Sequence, residues 1–228
     1  MSPKVKNLAT IAMLSALAYV VMFFAQMLPP LVPNPPLRYD PKDVIIIIGG
    51  FIYGPFTVIA MSVVVSLIEM ITVSTTGPYG LLMNIVSTCA FAFPAAVIYN
   101  KKRTITGAVI GLISGVVLVV GVMLLWNYII TPIYLVATIE ELPFDVSQMR
   151  ENVAGMLIPV FLPFNLLKAS LNAAFIMLIY KPLSDALRKM RMLPETDEKS
   201  RANIGVLIAS LFAVLTCVLL TLVFMGVI

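Results

Sequence analysis

The sequence predicts an all-α integral membrane protein, and three observations carry the prediction. Of 228 residues, 61% are hydrophobic and 11% are charged, whereas about a quarter of the residues in a soluble domain are charged. The apolar residues fall into seven runs, at 5–28, 43–54, 56–74, 79–99, 104–137, 153–182 and 203–228, against the ~20 residues that a helix needs to cross the hydrocarbon layer. Most of the basic residues between the runs then sort to one side.

The first run follows "MSPKVKNLATIAML", with lysines ahead of apolar residues as in a signal peptide, but no small-residue cleavage site closes it before "MLPPLVP", so it is read as a membrane helix. It contains Ala12 and Ala16, a small-xxx-small pair that lets another helix approach closely, either within the fold or from a partner. The second run, "DVIIIIGGFIYG", is short, and the charges decide whether it fuses with the third. A break at Gly54-Pro55 places Lys4, Lys6, the "KKR" at 101–103, Lys181, Arg188, Lys189 and Arg191 on one side. Arg38, Lys42 and Arg150 then share the other side with Asp40, Asp43, Glu140, Glu141, Asp145 and Glu151. Basic residues concentrate in short cytoplasmic loops, so the break and a cytoplasmic N-terminus are expected together.

The outer loop 29–42 opens "PPLVPNPPLRYDPKD", with six prolines in fifteen residues, which predicts an extended, semi-rigid lid. The outer loop 138–152 is acidic and predicts an amphipathic turn before the sixth helix. Residues 191–202 form a charged cytoplasmic linker to the last run, 203–228, which reads as an additional transmembrane helix. No histidine is present, so the usual metal ligand and the usual base near neutral pH are both missing. Cys89 and Cys217 lie far apart in apolar runs and predict packing rather than a disulfide or metal site. The charge of +4 calls for no nucleic acid.

Polar residues inside apolar runs mark the candidate site. In "PFNLLKASLN", 163–172, Asn165, Lys168 and Asn172 are spaced i, i+3, i+7 and share one helix face. A lysine at this depth costs roughly 2.5–3.5 kcal/mol to insert and requires a partner. One reading is an ion pair with Glu69. The other is a ligand rich in carbonyls, with the asparagine amides reading the edge of a planar heterocycle. Prolines 159 and 163 should bend this helix where neighbouring protein or a cavity satisfies the freed carbonyls. In "LLWNYIITP", Trp126 and Tyr128 fit an aromatic belt at the membrane interface, while Asn127 between them suits a ligand that stacks and hydrogen-bonds at its edge. Asn84, after the turn "TTGPYG", fits either an interhelical hydrogen bond or a ligand contact.

These motifs together resemble one family. "LRYDPKDV" after a proline-rich loop, "WNY" late in the fifth helix, "PFNLLKASLN" in the sixth and Ala12-xxx-Ala16 in the first are similar to the riboflavin-specific S components of energy-coupling factor (ECF) transporters. The resemblance covers about residues 5–190 and implies a six-helix core over 1–190, with 203–228 as a departure from it. It also implies a vitamin-capture subunit without enzymatic activity or cofactor, which takes riboflavin as a transported ligand in the cell membrane. Asn127, Asn165 and Lys168 would contact the isoalloxazine ring, Tyr39 and Asp40 would belong to the closing loop, and Ala12 and Ala16 would meet the transmembrane coupling protein. Two ATP-binding-cassette ATPases would drive transport, since the chain has no "GxxxxGK[ST]" motif of its own. The rival is a stand-alone proton-coupled secondary carrier of a small heterocycle, with Glu69 and Lys168 as its ionisable residues.

Overall fold

The computed structural model describes residues 3–33, 35–138, 145–189, 210–211 and 213–215, and these are all-helical apart from turns and one isolated bridge. Within residues 3–189 the described residues form seven α-helices: α1 (Pro3–Gln26), α2 (Lys42–Tyr53), α3 (Pro55–Thr72), α4 (Gly77–Lys102), α5 (Ile105–Thr138), α6 (Val146–Met156) and α7 (Leu162–Lys189). Five helical spans are long and apolar enough to cross a membrane, with α6 and α7 counting as one.

α2 is the exception. With 12 residues it is about 18 Å long, well short of the ~30 Å hydrocarbon layer. Its sequence is apolar around the whole circumference, as expected of a helix enclosed by protein. Ile46, Ile47 and Phe51 are indeed 0–2% exposed, and α1, α3, α4 and α7 pack around it. The expected break after it is present. Gly54 has φ 100° and ψ 169°, a conformation open mainly to glycine, and Pro55 begins α3 where its missing N–H costs nothing. Asn100 Nδ2 on α4 donates to Gly50 O at 2.9 Å, a second bond to a carbonyl that also accepts from Gly54 N at 2.9 Å, and so ties the end of α2 to α4.

α4 lies between α3 and α5. Small residues set the second of these contacts: a side chain at Gly111 would meet the backbone of Ala95, with its Cβ 2.8 Å from the carbonyl oxygen. Close backbone approach replaces the hydrophobic driving force that lipid removes.

α6 begins with a capping box, Asp145 accepting from Gln148 N at 2.8 Å while Gln148 Oε1 accepts from Asp145 N at 3.2 Å. This is the amphipathic start expected before the sixth span. Residues 157–161 then widen into a π-helical turn around Pro159, so the irregularity expected from the prolines falls between α6 and α7. Of the linker 191–202 nothing lies within the described residues. Of the run 203–228 only five residues do; they are helical, and Val214 packs on Leu167 and Leu171 of α7.

Candidate functional site

The proline-rich loop is built to hold one shape. Leu31 N donates to Leu37 O at 2.8 Å and Leu37 N to Val32 O at 2.9 Å, so its few available N–H groups close it on itself. Arg38 Nη1 donates to the carbonyls of Gln26 and Leu28 at 2.7 and 2.6 Å, placing a cation where the C-terminal end of α1 is electronegative.

This loop is fastened to α7. Tyr39 Oη donates to Asn172 Oδ1 at 2.7 Å, and Asn172 Nδ2 donates to Asp40 O at 3.2 Å. Asn172 is fully buried, and its amide is committed to the loop on both its oxygen and its nitrogen.

Beneath the fastening lies a small cavity of about 10 Å³, lined by Asp43, Ser87, Asn165, Lys168 and Asn172 with Phe91 on its apolar side. The i, i+3, i+7 stripe therefore faces one space. Asn165 Nδ2 donates to Phe161 O at 2.7 Å, taking up a carbonyl of the π-helical turn. The Lys168 ammonium makes no hydrogen bond or ion pair among the described residues. A second, apolar cavity of about 70 Å³ opens between Leu31 and Val32 of the loop and Pro159, Val160, Phe164 and Leu167.

Of the two readings of Lys168, the ion pair with Glu69 is not formed. Glu69 Oε2 instead lies 2.7 Å from Lys42 Nζ, which is also 2.6 Å from Asp40 Oδ2. Lys42 is 1% exposed and Asp43 3% exposed, so both leave the aqueous outer loop to which the sequence assigned them and form the first turn of α2. The physical reason is the enclosure of α2, which draws its first turn into the protein. Asp43 Oδ1 accepts from Thr88 Oγ1 at 2.6 Å. Burial pushes the Asp40 carboxyl up, but the ammoniums of Lys42 and Lys168 outweigh it and hold the group below the usual carboxylate value. The contribution of Asp40 to loop closure is thus complete above that usual value and fades only as pH falls through the lowered one.

The remaining expected residues fall elsewhere. Asn127 is buried, but its Nδ2 donates to Met123 O at 2.7 Å and its Oδ1 accepts from Thr131 at 3.1 Å. Thr131 bonds onward to Tyr79 at 2.7 Å, so Asn127 ends a chain of hydrogen bonds outside the lining of the polar cavity. Trp126 tilts against Tyr79 at 5.9 Å, outside the lining of the polar cavity. Tyr128 is 43% exposed, with Arg150 over its ring at 5.8 Å, and points away from the cavity. Asn84 is half-buried on α4 and lines neither cavity. Ala12 and Ala16 are exposed, while Ser15 and Ala18 of the same helix face inward.

Sequence reasoning missed Lys42, Asp43, Ser87 and Thr88. A signal for the first two existed, since an all-round apolar α2 must be enclosed and its charged first turn with it. The serine and threonine carry no such signal, because hydroxyls are common in membrane helices.

A polar cavity lined by an ammonium that has no partner among the described residues, held within membrane-spanning helices beside the proline-rich loop, fits a membrane protein that binds a solute. The chain belongs to the ECF transporter substrate-specific components, whose family model matches residues 6–180, and is thus a substrate-capture subunit of a transporter and not an enzyme. It is 28% identical over 186 residues to the riboflavin transporter RibU of Staphylococcus aureus (strain TCH60), covering 81% of this chain and 94% of that one. It is also 28% identical over 191 residues to the riboflavin transporter FmnP of Bacillus subtilis (strain 168), covering 82% and 97%. A solved S component of a bacterial ECF transporter matches with a TM-score of 0.63 at 28% identity, over 81% of this chain and 99% of that one.

Proposed function

We propose that this protein captures riboflavin from the outer side of the cell membrane and delivers it through an ATP-driven ECF importer. The observation that carries the reading is the Asn165–Lys168 face on a buried cavity. An apolar pocket between the proline-rich loop and the start of α7 accompanies it, which suits a flat heterocycle with one polar and one apolar end. Relatives named as riboflavin transporters support the choice of ligand. The N-terminus is cytoplasmic, the transmembrane coupling protein and two ATP-binding-cassette ATPases supply the energy, and residues 203–228 add a helix beside the six-helix core. Family membership weighs against the stand-alone proton-coupled carrier.

Lys168 is the residue to test. Lys168→Met keeps length and apolar stem but removes charge and donors, and should weaken riboflavin binding by about 1.5–3 kcal/mol, the range for a charge-assisted hydrogen bond. Fluorescence quenching of the purified subunit measures it; undiminished affinity in a folded variant would remove Lys168 from the site. The purified protein should also be yellow when it carries flavin.

The polar cavity, at about 10 Å³, has room for about one water molecule, far less than the roughly 300–1,000 Å³ of sites for drug-sized ligands. Entry of a three-ring heterocycle therefore requires the loop to move, and the Tyr39–Asn172–Asp40 fastening is its latch. Tyr39→Phe deletes one hydrogen bond worth about 0.5–1.5 kcal/mol and should speed riboflavin release up to about tenfold in stopped flow. An unchanged off-rate would mean that the loop does not gate release.

A further inference from the structure

Asp43 is a buried carboxylate with acceptor capacity that the fold leaves unused. Its Oδ1 is taken by Thr88 at 2.6 Å, but its Oδ2 has one long contact, 3.5 Å from Asn172 Nδ2. An ionised carboxylate offers about four lone-pair sites, so Oδ2 has room for a strong donor. Lys168 lines the same cavity with its N–H donors unengaged among the described residues. If the two charges served the fold alone, direct contact would be expected, because a buried ion pair offsets its desolvation only with close geometry. Opposite charges that line one cavity without closing on each other fit a group that carries an acceptor next to a donor. A cyclic imide is such a group: flat, with a carbonyl beside an N–H.

We propose that Asp43 accepts the imide N–H of the bound heterocycle while Lys168 donates to an adjacent carbonyl, which makes Asp43 a specificity-determining residue for an imide edge. The inference rests on the riboflavin reading, since the pyrimidine ring of riboflavin carries that edge. Asn165 is the competing acceptor: its Nδ2 is tied to Phe161 O, which leaves Oδ1 available on the cavity wall.

The experiment compares riboflavin with 3-methylriboflavin, in which the imide N–H is replaced, on the purified full-length subunit. The unaltered protein should prefer riboflavin by about tenfold or more, as expected for a hydrogen bond to a charged acceptor. In Asp43→Asn the amide oxygen can still accept from Thr88 while the amide N–H opposes the imide, so the preference should shrink towards unity. Equal affinity of the unaltered protein for both flavins overturns the proposal. So does an Asp43→Asn variant that keeps the full preference, or an Asn165→Leu variant that alone abolishes it. If Asp43→Asn binds neither flavin, 15N-labelled riboflavin on the unaltered protein decides: an N3–H proton downfield of its position in water supports a carboxylate acceptor, and one at or upfield of it overturns the assignment. Failure of the unaltered protein to bind riboflavin at all would instead sink the riboflavin reading itself.

Discussion

Lys42→Met is expected to destabilise the protein by about 3–5 kcal/mol, the cost of breaking a buried ion pair from one side. Lys42 sits between two carboxylates, 2.6 Å from Asp40 and 2.7 Å from Glu69, and is itself 1% exposed. Methionine fills a similar volume, so the loss is electrostatic and no large cavity results. The two orphaned acids are not equivalent. The Asp40 side chain is 15% exposed and sits in the loop, where it can turn to water, whereas Glu69 is 8% exposed within α3. Most of the penalty should therefore come from Glu69, and the double variant Lys42→Met with Glu69→Met should recover more than half of it, because apolar replacements of a buried pair are often neutral. Thermal unfolding of the purified protein in detergent reads the effect, on the order of 10 °C for the single change on the scale of soluble domains of this size. An unaltered melting temperature would mean that water reaches this cluster.

Replacing Ala12 and Ala16 together with leucine should abolish uptake while leaving riboflavin binding intact. Both alanines lie on the exposed side of α1, next to the exposed Leu8, Met13 and Leu17, while Ala18 and Met22 of the same helix are 0–1% exposed in the core. Among the described residues, added bulk there is therefore directed away from the core. It does hold a partner helix away, and in lipid the lost van der Waals contact is not compensated by a hydrophobic force. The expected pattern is normal fluorescence titration, failed co-purification with the coupling protein and ATPases, and no uptake in cells. Full uptake by the double variant would show that this surface is not the docking face, and loss of flavin binding would show that the alanines support the pocket.

The sequence by itself determined the class of the protein, the five long helical spans among the described residues and the face of α7 that lines the polar cavity. Those features are local: composition decides membrane residence, the break at Gly54-Pro55 follows from backbone chemistry, and Asn165, Lys168 and Asn172 share a face because of the helix repeat. The tertiary structure decided which polar groups meet. The chain gives no local sign that Glu69 pairs with Lys42, 27 residues away, or that Tyr39 reaches Asn172 across 133 residues. Nor could it show that Asn127 and Tyr128 point elsewhere than the polar cavity, because a position on a helix becomes an inward or outward one only when neighbouring helices are placed around it. A charge in a membrane protein must find its partner wherever packing brings one, so the identity of that partner belongs to the fold as a whole.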